Sequence, residues 1–204
     1  MKLLLIRHAQ SIGNAEGRLQ GQFDSPLSDE GRAQARALAR RLRREERQVT
    51  ALYASDLSRA AETAEILGRA LGLPVTLDPR LREYDAGVLN GLTWPQIEAR
   101  YPELWRELQH SGEWVPIPGE EGNETFHTRV AALLSDVQAA HDGDETAALV
   151  SHGGTLNMLL LHLLGMERER GGPFSFGNTS LSLVEFRPRG PVIRLLNDTC
   201  HLLP

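Results

Sequence analysis

Two short, uninterrupted apolar runs, each ending in a histidine, constrain this chain more than any other feature. Leu3-Leu4-Leu5-Ile6 leads into Arg7 and His8, and Ala147-Ala148-Leu149-Val150 leads into Ser151, His152, Gly153 and Gly154. An apolar run of about four to eight residues without polar alternation fits a strand covered on both faces, as in a parallel sheet. Ligands of open parallel sheets bind beyond the carboxyl ends of the strands. Two histidines at two such ends can share one crevice although the chain separates them widely.

The rest of the chain alternates in the way such a sheet requires. Residues 28 to 47 carry Ala35, Leu38 and Leu42 at helical spacing, with Ser28 as N-cap and Asp29 and Glu30 complementing the positive helix start. The string Arg40, Arg41, Arg43 and Arg44 is expected on the solvated far end of that helix. Residues 49 to 54 predict a strand, followed by a helix that Ser55 caps and that Gly72 and Pro74 close near Leu71. A third strand is expected at Val75 to Leu77. Residues 85 to 122 hold Pro95, Pro102, Pro116, Pro118, Trp94, Trp105 and Trp114, and read as an irregular insertion over the sheet rim. A helix over 124 to 141 carries Phe126, Val130, Leu133 and Val137 on one stripe. Ala147 to Ser151 and Gly154 to Leu164 predict a strand and a helix. The strands Leu181 to Phe186 and Val192 to Leu196 turn at Pro188 to Gly190. This order predicts one α/β domain over residues 1 to 204, three-layer α/β/α, with a mostly parallel sheet, helices on both faces and a cap-like insertion at about 85–122.

Composition narrows the partners. A net charge of −5 argues against a nucleic-acid binder, which usually carries a basic face. No apolar run is long enough to span a bilayer, so no membrane partner is expected. Lys2 is the only lysine, so arginine does nearly all the cationic work, with a fork of donors suited to phosphate and carboxylate oxygens. Cys200 is alone, which excludes an internal disulfide and fits a cytoplasmic location. It also lies too near the C-terminus to serve a cysteine-based phosphatase loop. There is no Walker loop, no His-Glu-x-x-His and no paired-cysteine signature, so neither a metal nor a cofactor is expected.

Four segments carry chemistry. Arg7-His8 with Asn14 could supply a neutral nucleophilic imidazole beside a guanidinium that orients phosphate oxygens. The alternative is a strand-end histidine satisfied by a backbone carbonyl. Arg59 falls in the first turn of a helix, where an anion shared with Arg7 would offset its clash with the dipole; the alternative is a surface pair with Glu62 or Glu65. Glu83 or Asp85 could protonate a leaving alkoxide, or could be a loop carboxylate in water. Gly153 and Gly154 leave N–H groups open at a helix start, as an anion cradle or as a tight turn only.

Taken together, these blocks resemble the histidine phosphatase superfamily of phosphoglycerate mutases and their phosphatase relatives. The matching segments are Leu4 to Ser11 with Asn14, Gly21 to Gly31, Ser55 to Ala64, Leu81 to Gly91 and Val150 to Gly154, and Asn197-Asp198 with His201-Leu202 resembles a common family ending. The resemblance spans nearly the whole chain. It implies that His8 becomes phosphohistidine, that Arg7, Arg59 and His152 hold the transferring group, and that Glu83 is the proton donor. It places Asn14 and Gln20 in the phosphate pocket. Ala9 stands where glycine is usual, adding a methyl expected to narrow the pocket. Asn123-Glu124-Thr125 stands where Gly-Glu-Ser is usual, which leaves the role of Glu124 open.

Three activities fit. The leading one is a metal-independent phosphomonoesterase acting on a small phosphorylated metabolite. A mutase needs water excluded; by resemblance it also needs an extra lysine and an Arg-Arg pair for a substrate carboxylate, and this chain has neither after Lys2 or between 85 and 122. A non-catalytic phosphate binder would not need all of Arg7, His8, Arg59, Glu83 and His152. Oligomeric state is left open, a homodimer included.

Overall fold

The structure is a computed structural model that describes residues 1–45, 48–111, 115–166 and 172–203. Its elements run β1 (Lys2–Arg7), α1 (Ile12–Ala15), β2 (Arg18–Leu19), α2 (Asp29–Arg44), β3 (Val49–Ala54), α3 (Ser58–Leu71), β4 (Val75–Leu77), β5 (Leu92–Thr93), α4 (Trp94–Arg100), α5 (Pro102–His110), α6 (Asn123–Ala140), β6 (Thr146–Ser151), α7 (Gly153–Leu164), β7 (Leu181–Arg187) and β8 (Gly190–Asp198). The main sheet has strand order β4-β3-β6-β1-β7-β8. β1, β3, β4 and β6 are mutually parallel, and β7 and β8 add an antiparallel edge.

The apolar runs explain the layering. Alternate residues of a strand point to opposite faces, so a run apolar at every position needs cover on both. Leu3 and Leu5 of β1, with Ala147 and Leu149 of β6, pack beneath α6 and α7 through Phe126, Val130, Leu156 and Leu160. Leu4, Ile6, Ala148 and Val150 face the other way, against Leu38 and Leu42 of α2 and Ala60, Ala64 and Leu67 of α3. The three-layer α/β/α fold with a mostly parallel sheet is what the sequence predicted.

The topology then sets the site. β6 enters the sheet last among the parallel strands and lies between β3 and β1, pairing Arg7 with Ser151 in register. The residues just beyond, His8 and His152, therefore emerge side by side. The His8 amide donates to Ser151 O at 2.8 Å and ties the two strand ends together.

Several local expectations are corrected. Residues 85–122 are not irregular: Trp94–Arg100 and Pro102–His110 are helices, each with proline in its first turn, where the missing N–H costs nothing. A capping box of Thr93 and Gln96 starts the first of them. Ser55 is not the N-cap of α3; Leu57 is, and the Ser55 hydroxyl accepts from the Leu57 amide while serving the site. Arg41 is not a solvated end residue. It is buried, with its Nε on Glu45 at 2.7 Å and a terminal nitrogen on Asp198 at 2.6 Å, locking α2 to the end of β8. Glu46 and Arg47, at the end of the predicted helical span, and Trp114 lie outside the described residues. Ser28 does cap α2, accepting from the Gly31 amide.

Candidate active site

His8 sits at the floor of a cavity of about 500 Å³ beyond the ends of β1 and β6. Its ring lies 5.0 Å from that of His152, centroid to centroid. His8 Nδ1 is 2.7 Å from Ala9 O. A carbonyl only accepts, so the neutral ring carries its proton on Nδ1 and Nε2 keeps a lone pair. Burial, then the charges of Arg59 and Arg7, hold the His8 pKa well below the usual 6.5. The ring is therefore an uncharged base with its nucleophilic nitrogen fixed by tautomer.

Arg7 and Arg59 bring positive charge to the same cavity. One terminal nitrogen of Arg7 donates to Phe176 O at 2.5 Å, but its Nε is buried without a partner. A buried guanidinium donor left unpaired costs free energy unless a ligand satisfies it. Arg59 is almost fully buried and makes no surface pair with Glu62 or Glu65. Its Nε donates to His152 Nδ1 at 3.2 Å, and its terminal nitrogens donate to Phe23 O at 2.9 Å and Gly21 O at 2.7 Å. Burial lowers its pKa to about 10, so it stays protonated at neutral pH. Each terminal nitrogen keeps a second N–H for a bound anion.

His152 takes a place different from the one expected. It is fully buried and does not line the cavity. Its Nδ1 accepts from Arg59, so its Nε2 carries the proton and donates to Ser55 Oγ at 2.9 Å. Both nitrogens are occupied, and burial holds the ring uncharged, its pKa well below 6.5. His152 positions Arg59 behind His8.

Glu83 is the carboxyl that lines the cavity among the described residues. It accepts from Gly154 N at 2.9 Å, from Thr155 N at 3.1 Å and from Tyr84 N at 2.9 Å. Glu83 thus takes the Gly154 amide at the helix start after His152, so of the anion cradle that Gly153 and Gly154 suggested, the Gly153 amide is the part that Glu83 does not occupy. The glycine at 154 permits this approach: a Cβ there would collide with Glu83 Oε1. Gly153 lines the cavity. Asp85 is bound to Gly87 N at 3.0 Å and Asn90 Nδ2 at 2.6 Å, organising the loop and removing it as the alternative acid.

Asn14 and Gln20 both line the cavity. Asn14 Oδ1 accepts from Ser11 N at 3.2 Å and Asn178 Nδ2 at 3.3 Å, which leaves its amide nitrogen as a donor. Ser11 Oγ donates to Gln20 Oε1 at 2.8 Å and orients Gln20 in the same sense. Ala9 does not narrow the pocket; its methyl packs on Leu27 and Ala35. Glu124 is exposed in the first turn of α6 and takes no part in the cavity.

Sequence reasoning missed the brace beneath His8. Asn178 Nδ2 donates to His8 O at 3.0 Å, and the Thr179 amide donates to Arg7 O at 3.0 Å. Thr179 sits at φ 57°, a left-handed conformation a β-branched residue rarely adopts, and His201 Nε2 binds its hydroxyl at 2.9 Å. The family-like ending at His201 carried that signal, but nothing local tied it to His8. Among the described residues, no three His, Cys, Asp or Glu side chains converge to hold a metal ion. No helix among them is long and apolar enough to cross a membrane.

Comparison with known proteins finds likeness along nearly the whole chain. Residues 3–199 match the histidine phosphatase superfamily (branch 1). The chain is 35% identical over 202 residues to phosphoserine phosphatase 1 of Hydrogenobacter thermophilus, covering 99% of this chain and 94% of that one. It is 38% identical over 210 residues to a probable phosphoglycerate mutase of Yersinia enterocolitica, covering 99% and 95%. Its fold superposes on a mycobacterial glucosyl-3-phosphoglycerate phosphatase with a TM-score of 0.84 at 33% identity, covering 96% and 98%. Paired strand-end histidines, two buried guanidiniums and near-complete coverage lead to one assignment: the chain belongs to the histidine phosphatase superfamily.

Proposed function

We propose that the protein is a phosphomonoesterase that hydrolyses a small phosphorylated metabolite through phosphohistidine at His8. The observation that carries this reading is the His8 imidazole: buried, uncharged and pinned at Nδ1 by Ala9 O, beside the unpaired Nε of Arg7. In the reaction, His8 Nε2 attacks phosphorus and the ester oxygen departs in line. Arg7 and Arg59 neutralise the phosphoryl oxygens, which is most of what phosphoryl transfer requires. Asn14, Gln20 and Gly153 complete the binding of those oxygens. Glu83 gives a proton to the leaving alkoxide. Once the alcohol leaves, Glu83 takes a proton from water, and the water oxygen attacks the phosphohistidine to release phosphate and restore His8. The guanidiniums supply the positive charge that a metal ion supplies in other phosphatases. A net charge of −5 and the lone Cys200 support a cytoplasmic enzyme without nucleic-acid partners.

The test is hydrolysis of an aryl phosphate in the presence of a chelator, followed by an alkaline quench to trap labelled phosphohistidine. Turnover and label are both expected, and both should vanish in His8→Ala. Label on another side chain, or full turnover by His8→Ala, refutes the reading. Absence of turnover on every phosphomonoester favours a phosphate-binding protein. The identity to a protein named as a phosphoglycerate mutase supports a second reading, phosphoryl return to another hydroxyl. Isomerisation of phosphoglycerate without phosphate release would establish it.

A further inference from the structure

The cavity has two unlike halves. Its floor carries Arg7, His8, Arg59 and Glu83. Its remaining wall is formed largely by Leu19, Leu89, Trp94, Trp105, Leu108 and Ile117. Once the phosphoryl group is on the floor, the rest of the substrate must extend along that wall. The nature of the wall therefore constrains the leaving group.

Three observations define it. First, the α4–α5 pair places two tryptophans together at the cavity: the Trp94 and Trp105 rings lie 5.9 Å apart at 39°. Trp105 packs against the main core, whereas Trp94 keeps half its surface exposed. Second, the cation on the wall is Arg18, and it is already neutralised. Its Nε contacts Glu16 Oε2 at 2.5 Å, and a terminal nitrogen donates to Gly91 O at 2.8 Å. Third, Gln109 is the neutral polar side chain on the α5 part of the wall, and the other lining residues from the α4–α5 pair are apolar. Among the described residues, no uncommitted cation faces the leaving group. A substrate carboxylate placed there would lose water and would have to compete with Glu16 for Arg18. A flat apolar group would lose little and gain stacking on indole.

Resting on the phosphatase reading above, we infer that this site selects phosphomonoesters whose alcohol carries a flat, uncharged aromatic group, and disfavours those carrying a carboxylate close to the phosphate. The two tryptophans are the specificity-determining residues. Arg18 and Glu16 keep the wall electrically neutral.

Aryl phosphates react faster simply because phenols are better leaving groups, so the experiment compares alkyl esters. We would measure kcat/KM for naphthylethyl phosphate, butyl phosphate, phosphoserine and phosphoglycerate. Naphthylethyl phosphate should exceed the other three by about tenfold or more, the factor expected when stacking adds roughly 1.4 kcal/mol. Trp94→Ala and Trp105→Ala should each shrink the naphthylethyl-to-butyl ratio. Trp94 is half exposed, so its replacement perturbs folding least and decides the matter if Trp105→Ala is unstable. Equal rates on all four esters, a preference for the carboxylate-bearing pair, or an unchanged ratio in Trp94→Ala would overturn the inference and leave the phosphatase reading intact. If none of the four releases phosphate and the aryl phosphate is also inert, the phosphatase reading fails. Tryptophan quenching by naphthylethyl phosphate against butyl phosphate then tests the wall by itself: tighter aromatic binding that Trp94→Ala weakens sustains the inference, and equal binding ends it.

Discussion

Arg59 Nε donates to His152 Nδ1 at 3.2 Å, and this bond fixes the protonation of both His152 nitrogens. The Arg59 side chain is a permanent donor, so His152 must accept at Nδ1 and give its proton to Ser55 Oγ at 2.9 Å. The two residues act as one unit. Arg59→Ala should lower kcat/KM by a factor of about 30 or more, the loss of roughly 2 kcal/mol of transition-state stabilisation. His152→Ala should lower it comparably, by leaving Arg59 Nε buried without a partner. The double variant should cost little more than the worse single one, because coupled residues are not additive. Steady-state kinetics on the three variants check this. Strictly additive losses would show that His152 touches the phosphoryl group on its own account.

Glu83 holds three backbone N–H groups while facing the cavity, so its replacement separates proton donation from binding. Glu83→Gln keeps a carbonyl oxygen for some of those contacts and loses the transferable proton. It should slow alkyl phosphates more than aryl phosphates, by a margin on the order of 10²-fold, since phenolate leaves without help. Equal slowing of both classes would remove Glu83 as the acid. Asp85 would not replace it, because Asn90 and the Gly87 amide already hold that carboxylate.

Gly154 tests the same acid from the opposite side. A methyl at 154 would collide with Glu83 Oε1, while one at 153 would find Arg7 Nε at 3.9 Å, an ordinary contact. Gly154→Ala should therefore mimic Glu83→Gln in its alkyl-to-aryl discrimination and should also destabilise the fold by about 1 kcal/mol through loss of the helix cap. Gly153→Ala should show neither effect on discrimination, although it adds bulk to the cavity. Thermal melts and rates on a matched pair of esters distinguish the two. A Gly154→Ala enzyme with normal discrimination would mean the carboxylate shifts without consequence.

The parts legible in the sequence were those with a period or a cap. β1 and β6 declare themselves because a strand buried on both faces cannot alternate. α2 declares its start through Ser28. Arg7, His8, Arg59 and Glu83 were legible because family motifs fix their order along the chain. What stayed hidden depends on contacts distant in sequence. The burial of Arg41 is set by Asp198, a partner far along the chain. The engagement of both His152 nitrogens is set by Arg59 and Ser55. The helices α4 and α5 were obscured by prolines, which were read as breakers although each occupies a first turn. Asn178 and Thr179 support His8 through backbone carbonyls, an interaction that leaves no mark on residue type.

Buried neutral histidines also set the acid limb of stability. His8, His152 and His201 all have lowered pKa values, chiefly through burial, His201 to about 4. The unfolded chain then binds protons that the folded chain refuses. Their contribution to stability is fully present above about pH 6.5 and is lost as pH falls toward the folded values. Asp198 acts in a lower window: Arg41 holds it at about 2, so its stabilisation persists until pH drops below the ordinary carboxylate range of 3.8. Below about pH 6.5, and above the carboxylate range, the histidines therefore dominate, and each one with a lowered pKa steepens the loss of stability as pH falls. Urea midpoints measured from pH 8 to 5 should be flat above 6.5 and fall below it, and His201→Gln should flatten the fall. The acid limb of kcat/KM should lie well below 6.5, because His8 stays unprotonated there. Midpoints that hold constant down to pH 5 would mean these rings accept protons in the folded state, and His8 would then lose its nucleophilic lone pair in mildly acidic solution.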